Sequence, residues 1–281
     1  MKFSVLIPVY AKENPEFFIK ALNSIVTQTL KPSEIVVVKD GPLTDGLEKV
    51  IELFSKNYDN LFKIVSLEEN VGLGDALNIG LKKCSYELVA RMDSDDISMP
   101  YRFEKQIQVF DRDNKLDVCS GWVGEFDKDE KEIYYYRKVP ENHDDIVRYL
   151  KIRSAINHPA VMYKKTSVEK AGGYQKMMFL EDYYLWVRML LKGAKFYNIQ
   201  EVLVNMRGGE NMIKRRAGIA YAKSELKLLN EFKNIGFLTK DEYIRNIFIR
   251  VPIRLMPIGI IKFIYRFLRT KKINSEVFHK I

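Results

Sequence analysis

Tyr86-Glu87-Leu88-Val89-Ala90-Arg91-Met92-Asp93-Ser94-Asp95-Asp96 runs from an apolar stretch directly into three carboxylates. The apolar half reads as a buried β-strand, and the acidic half as its carboxyl end. Side chains alternate along extended chain, so Asp93 and Asp95 point into one cleft while Ser94 points away. Oxygen ligands placed this way suit a divalent cation holding a diphosphate. The same residues also suit an acidic turn before a helix starting near Met99-Pro100-Tyr101, with Asp96 or Ser98 as its N-cap.

Upstream of this stretch, strand and helix signals alternate. A strand over Phe3 to Pro8 is followed by a helix over Pro15 to Thr27, then by the strand Glu34 to Val38 and a helix near Thr44 to Lys56. A strand over Phe62 to Leu67 and a helix near Gly74 to Lys83 complete the series. Continuous Val, Ile and Leu runs separated by helices predict a parallel sheet covered on both faces, which binds ligands at the carboxyl ends of its strands. Each of those ends is unusual: Pro8-Val9-Tyr10, Lys39-Asp40-Gly41, Glu68-Glu69-Asn70, and the aspartates. Downstream, shorter strands are expected at Val118 to Phe126, Glu132 to Val139 and Ala160 to Tyr163. The fold class is therefore α/β, with a mixed, mainly parallel sheet. The expected units are residues 1–210, divided into a nucleotide-binding half (1–116) and an acceptor-side half (117–210), and a helical, basic region over 211–281.

The chain has 281 residues, 47% of them hydrophobic, which is enough for a full core and argues against disorder. Its net charge of +9 admits nucleic acid, an anionic membrane or anionic substrates as partners. Cys84 and Cys119 lack any paired spacing and read as small buried residues in a reducing compartment. The apolar run at Met1 to Pro8 lacks a cleavage site and reads as the first core strand. No apolar stretch approaches the roughly 20 residues that span a bilayer.

Asp40-Gly41 allows a tight turn whose carboxylate can accept from a base N–H, although a plain turn has the same composition. Asn70-Val71-Gly72 precedes a helix bearing Asn78, an arrangement suited to an approaching nucleotide or to ordinary capping. Together with the opening Ile7-Pro8-Val9-Tyr10, Asp93-x-Asp95 and a later Glu181-Asp182, this ordered set resembles the family 2 glycosyltransferases of the GT-A fold over roughly residues 2 to 210. The resemblance implies a UDP-sugar donor, a Mn²⁺ or Mg²⁺ ion, and inversion at the anomeric carbon. It places Asp40 on the uracil, with Pro8, Val9 and Tyr10 lining the base pocket. Asp93 contacts ribose or a metal-bound water, Asp95 the metal, and Asp182 serves as catalytic base. Asn70, Gly72, Asn78 and Arg91 join the nucleotide-binding set, and Glu13 is a further polar partner or an exposed helix-start acid. The sequence departs from the common pattern at Lys39 and Ala11, where the family often has aspartate and asparagine.

Phe179 to Met189 reads as a helix with acids in its first turn, which the helix dipole alone also favours. Glu181 could orient the acceptor or Asp182. Trp186, four residues beyond Asp182, is either a sugar-stacking surface or a core anchor. His158, at a strand entrance, is an acceptor-side or diphosphate group, or a satisfied structural histidine. Arg207 and Arg215, in a glycine-rich basic stretch after the strand Val202 to Met206, suit a loop over a diphosphate or a solvated loop. The Gln-x-x-Arg-Trp signature of processive synthases is missing, so the reading is transfer of a single sugar.

From Tyr243 to Lys272 the chain mixes Ile, Phe and Leu with regularly spaced Lys and Arg and contains no acid. Such segments lie on anionic membranes or pack on their own domain. Membrane attachment fits a polyprenyl-diphosphate-linked saccharide acceptor. Lys39 to Thr44 and Glu181 to Arg188 also resemble bacterial O-antigen and capsule glycosyltransferases, which implies transfer of glucose or galactose, while the basic tail is the ground for expecting a cytoplasmic protein attached to the inner face of the cell membrane. A nucleotidyltransferase would want a glycine-rich basic loop after the first strand, which Pro8 to Asn14 does not supply. A basic glycan- or nucleic-acid-binding protein would leave the aspartates unexplained.

Overall fold

The computed structural model describes residues 1–208, 216–268 and 270–271. Its first half follows the expected alternation: β1 (Phe3–Val9), α1 (Pro15–Val26), β2 (Glu34–Lys39), α2 (Asp45–Asn57), β3 (Phe62–Ser66), α3 (Leu73–Lys83) and β4 (Leu88–Arg91). Next come β5 (Ile97–Ser98), α4 (Arg102–Arg112), β6 (Val118–Phe126), β7 (Tyr135–Arg137), α5 (His143–Leu150), a 3₁₀ turn (His158–Ala160), β8 (Met162–Lys164), α6 (Lys165–Lys170), α7 (Glu181–Leu191) and β9 (Phe196–Arg207). The chain then forms α8 (Ile219–Asn234), α9 (Lys240–Leu255), α10 (Ile258–Leu268) and a short β10 (Thr270–Lys271).

One mixed sheet has the order β10-β7-β6-β8-β4-β1-β2-β3, with β9 paired to β6 and β5. Strands β3, β2, β1 and β4 are parallel, while β8 runs antiparallel between β4 and β6. Alternate residues of the parallel strands feed two cores. Val5, Ile7, Ile35 and Val37 meet α1, α2 and α4 on one face. Leu6, Val36 and Val38 meet α3, α7 and α8 on the other. Burial on both faces explains why these strands read as continuous apolar runs. Cys84 and Cys119 are buried and unpaired, and burial pushes the Cys84 thiol up to about 12.

Local chemistry sets the helix starts. Asn14 Oδ1 accepts from the Glu16 amide at 2.8 Å, with Pro15 in the first turn of α1. Thr239 and Glu242 form a reciprocal capping box at α9. Helix α4 begins at Arg102 with Tyr101 as its N-cap and no side-chain cap bond, so neither Asp96 nor Ser98 caps it. Three expected strands differ in extent. Strand β7 is shorter than the run Glu132 to Val139, β8 begins at Met162 after a 3₁₀ turn instead of at Ala160, and β9 begins six residues before Val202. Tyr221, Leu228, Leu229 and Phe232 of α8 belong to the same core as Leu6 and Trp186. Among the described residues, no helix is long and apolar enough to cross a membrane.

Candidate active site

Strands β1, β2 and β4 deliver their carboxyl ends to one side of the sheet. There Tyr10, Ala11, Lys12, Asp40, Gly41, Pro42 and Asn70 line an open cleft of about 310 Å³. Asp40 is buried at the end of β2, and its Oδ1 accepts from the Val71 amide at 2.8 Å. Its Oδ2 accepts from Asn70 Nδ2 at 3.0 Å, which ties the β3–α3 loop to the cleft. Gly41 has φ +86°, and a Cβ there would meet the Asn70 amide nitrogen at 2.7 Å, so this turn needs glycine. Gly72, at φ +88°, caps α3 in the same loop. Tyr10 is exposed at the rim, whereas Pro8 and Val9 are buried in β1 and do not line the cleft, contrary to the sequence expectation. The strand continues one residue further than expected, to Val9, and the lining comes from Tyr10, Ala11 and Lys12.

Asn78 differs from expectation too. Its Oδ1 accepts from the Tyr174 amide and its Nδ2 donates to the Tyr174 carbonyl, both at 2.7 Å. The side chain therefore clamps the turn that leads to α7 instead of facing the cleft.

At the end of β4 the expected alternation holds: Ser94 and Asp96 are buried, while Asp93 and Asp95 are partly exposed. Ser94 donates to Glu13 Oε2 at 2.6 Å, which brings Glu13 to the acidic stretch. Asp93 forms a two-point ion pair with the buried Arg91. Asp96 Oδ1 accepts from the Arg207 amide at 2.8 Å, while Oδ2 is buried without a partner. Burial, then repulsion from Asp93 and Glu13, raises the Asp95 carboxyl to about 7. Burial and its two acidic neighbours push Asp96 well above the usual carboxylate range. Burial and mutual repulsion thus favour the neutral form of the carboxyls crowded at this strand end.

Arg207 serves this strand end from behind. Its guanidinium lies 3.6 Å from the centre of the Phe17 ring and 4.6 Å from that of Phe126, and it donates to the carbonyls of Asp95 and Asp127. Packed there, it braces the acidic turn and does not reach out as a diphosphate loop residue. Arg215 lies outside the described residues.

Helix α7 presents Glu181 and Asp182 in its first turn, both half-buried. Burial raises both carboxyls. For Asp182 the Tyr183 amide and the Arg137, Arg216 and Arg91 guanidiniums pull the other way. Arg91, which pairs with Asp93, therefore also favours the charged form of Asp182. Trp186 is fully buried, edge-on to His158 at 5.9 Å, so it is a core anchor and cannot stack on a sugar. Its position four residues after Asp182 turns it inward, because the helix buries that face on the sheet. His158 shares a 2.9 Å hydrogen bond with Tyr174 Oη, and burial and Arg91 keep its ring neutral. It supports the site from beneath, where a solvent-borne acceptor cannot reach it directly.

Sequence reading missed several supporting groups. Arg102, fully buried, donates to the Arg91 and Val161 carbonyls, and burial lowers its pKa to about 9. Gln106, one turn on, donates to the Ala160 and Cys119 carbonyls. The available signal was a polar pair at i and i+4 on the otherwise apolar face Phe103, Ile107 and Phe110. Asn157 Nδ2 donates to Gly121 and Arg137 carbonyls and fixes the segment that precedes His158.

Residues 4–170 match the family model for glycosyl transferase family 2. The chain is similar to an Escherichia coli UDP-Gal:α-D-GlcNAc-diphosphoundecaprenol β-1,3-galactosyltransferase, at 40% identity over 94% of this chain and 95% of that protein. It is also similar to the amylovoran biosynthesis glycosyltransferase AmsE of Erwinia amylovora, at 39% identity over 94% and 97%. Among solved structures, S. aureus TarS 1-349 in complex with UDP-GlcNAc aligns with a TM-score of 0.64, at 21% identity over 88% of this chain and 70% of that one. The mannosyltransferase PcManGT of Pyrobaculum calidifontis, in complex with GDP-Man and Mn²⁺, aligns with a TM-score of 0.63, at 16% identity over 89% and 69%. With sheet order, acidic strand end and these likenesses in agreement, the chain belongs to glycosyl transferase family 2 and is a glycosyltransferase of the GT-A fold.

Proposed function

We propose that the protein transfers a hexose, glucose or galactose, from a UDP-sugar to a lipid-diphosphate-linked saccharide during assembly of a surface polysaccharide, with inversion at the anomeric carbon. The observation that carries this reading is the half-buried Asp182 carboxylate, which shares Arg91 with the acidic end of β4. The acceptor class is drawn from the E. coli relative, whose name specifies α-D-GlcNAc-diphosphoundecaprenol.

In this mechanism the open cleft takes the nucleoside, with Tyr10 at its rim and Asp40 and Asn70 holding its floor. Asp182 removes the proton from an acceptor hydroxyl as that oxygen bonds to the anomeric carbon. The bond from that carbon to the UDP phosphate oxygen breaks, and its electron pair leaves with UDP. Asp95 and Asp93 are the residues that would hold a Mn²⁺ or Mg²⁺ ion, which supplies charge neutralisation for the departing diphosphate. Their crowding with Glu13 and Asp96, and the raised pKa of Asp95, support this fit, because a cation would relieve it. Among the described residues, no group of three or more His, Cys, Asp or Glu side chains forms a ready cage. Ions held by one or two carboxylates and the substrate's own phosphates need none.

We also assign an anionic membrane surface as the place of work, supported by the apolar side chains that α9 and α10 leave exposed.

Calorimetric titration with UDP, GDP and dTDP, each with and without Mn²⁺, tests the donor reading. Selective, metal-enhanced UDP binding is expected. Absence of binding to all three nucleotides would remove the proposal.

A further inference from the structure

Immediately before α7, Phe179 has φ +67°, in the left-handed region that bulky side chains rarely occupy. Among the described residues, the other non-glycine residue with positive φ is Asn60. Asparagine often adopts this conformation because its short polar side chain bonds locally, an option phenylalanine lacks. Strain of this kind persists where the surroundings impose it, and it gathers at active sites and ligand clamps.

A stack of side chains holds Phe179 in place. Its ring lies on that of Tyr221 in α8, with centroids 5.2 Å apart and planes 13° from parallel. The Arg254 guanidinium lies 4.5 Å from the centre of the same Tyr221 ring, and Arg254 Nε donates to the buried Glu225 at 3.0 Å. Tyr221 is 5% exposed whereas Phe179 is 44% exposed, so the accessible part of the stack is the Phe179 ring. The chain thus spends backbone strain to present a flat apolar surface on a firm backing.

The place of that surface suggests its use. Phe179 stands two residues before Glu181 and three before Asp182. Three residues of chain span at most about 11 Å, which keeps the ring near the carboxylate proposed as base. A pyranose has an apolar C–H face that packs on an aromatic ring while its hydroxyls stay free for polar contacts. Trp186, which the spacing suggested for this role, is buried. Tyr10 is exposed, but it lines the open cleft with Asp40 and Asn70.

We propose that Phe179 is the stacking platform for the acceptor's terminal sugar, holding the hydroxyl to be glycosylated beside Asp182. This rests on the saccharide acceptor proposed above and names the residue that selects it.

The test uses the full chain loaded with UDP and Mn²⁺, titrated with hexyl α-GlcNAc-diphosphate as probe. Phe179→Leu keeps the apolar bulk and the backbone demand but removes the aromatic face; Phe179→Trp keeps the face. UDP affinity checks folding in both. Probe affinity should fall on the order of five- to tenfold in Phe179→Leu and return to within about twofold of wild type in Phe179→Trp. KM for the probe as acceptor should rise by a similar factor in Phe179→Leu, with kcat changed far less. Hexyl diphosphate, which lacks the sugar, should not distinguish the three proteins. Equal probe affinity in wild type and Phe179→Leu overturns the platform, as does a wild type that does not bind the probe. A loss that hexyl diphosphate shares overturns it too, assigning the ring to the lipid or diphosphate, and a matching fall in UDP affinity overturns it by assigning the ring to the donor. A wild type that binds the probe through the aromatic ring but transfers from no UDP-sugar would defeat the reaction proposed above and leave the platform standing.

Discussion

Asp182 shows how a single carboxylate is tuned by opposing effects. Burial disfavours its charge more than the Tyr183 amide and three guanidiniums favour it, so its pKa lies above that of an ordinary aspartate. A general base works only when ionised. Transfer should therefore fall as pH drops through a value above the usual aspartate pKa of about 3.9, and a pH profile of kcat with its acid limb at or below that value would contradict the assignment. Asp182→Asn keeps the shape and removes the proposed base; kcat should fall on the order of 10²- to 10⁴-fold while calorimetry still shows UDP binding. At this scale the positions of the acids were legible, because Asp93, Asp95, Glu181 and Asp182 stand at the end of a strand and the start of a helix. The sequence did not reveal Arg102, Arg137 or Asn157. Their partners are backbone carbonyls and charges of segments far along the chain, and no local pattern marks them.

Elements were legible where their signal is local. The strands and helices before residue 92 alternate without interruption, and each was read to within a few residues. Strand β9 was truncated in that reading because Asn198, Gln200 and Glu201 break its apolar run. In the structure it pairs with β6 through register shifts around Gly121 and Trp122, which only the partner strand can supply. Helix α3 depends on closeness: a Cβ on Gly80 would sit 2.5 Å from both Leu6 Cδ1 and Val38 Cγ2. Gly80→Ala should therefore destabilise the protein by about 1–3 kcal/mol through overpacking, despite the better helix propensity of alanine. Chemical denaturation would read this directly, and a neutral or stabilised variant would show that α3 can shift away from β1 and β2.

For the whole molecule, the C-terminal helices have two faces. One is tied down: Asn246 donates to the Lys151 carbonyl, and Arg250 and Arg254 hold Glu225. The other leaves Phe248 75% and Phe263 70% exposed, with Ile249 and Ile260 nearby. Deleting everything after Tyr243 would strand the buried Glu225 without its arginines, at a cost of several kcal/mol, and would confuse unfolding with release from a membrane. Point changes separate the two. Phe248→Glu with Phe263→Glu should leave the melting temperature nearly unchanged while cutting co-sedimentation with anionic phosphatidylglycerol vesicles several-fold. Undiminished sedimentation would remove the membrane assignment.

The shared core that joins Leu6 of β1 to Leu228, Leu229 and Phe232 of α8 has a consequence for how the protein is made. A nascent chain leaves the ribosome at roughly 5–20 residues per second, so β1 waits many seconds for the helix that covers its outer layer. Once α7 has emerged, its apolar face stays bare until α8 follows. A chain stalled before α8 should be a client for chaperones and a target for proteolysis, whereas the finished chain should resist both. Synthesis therefore delays completion of this core until α8 has been made.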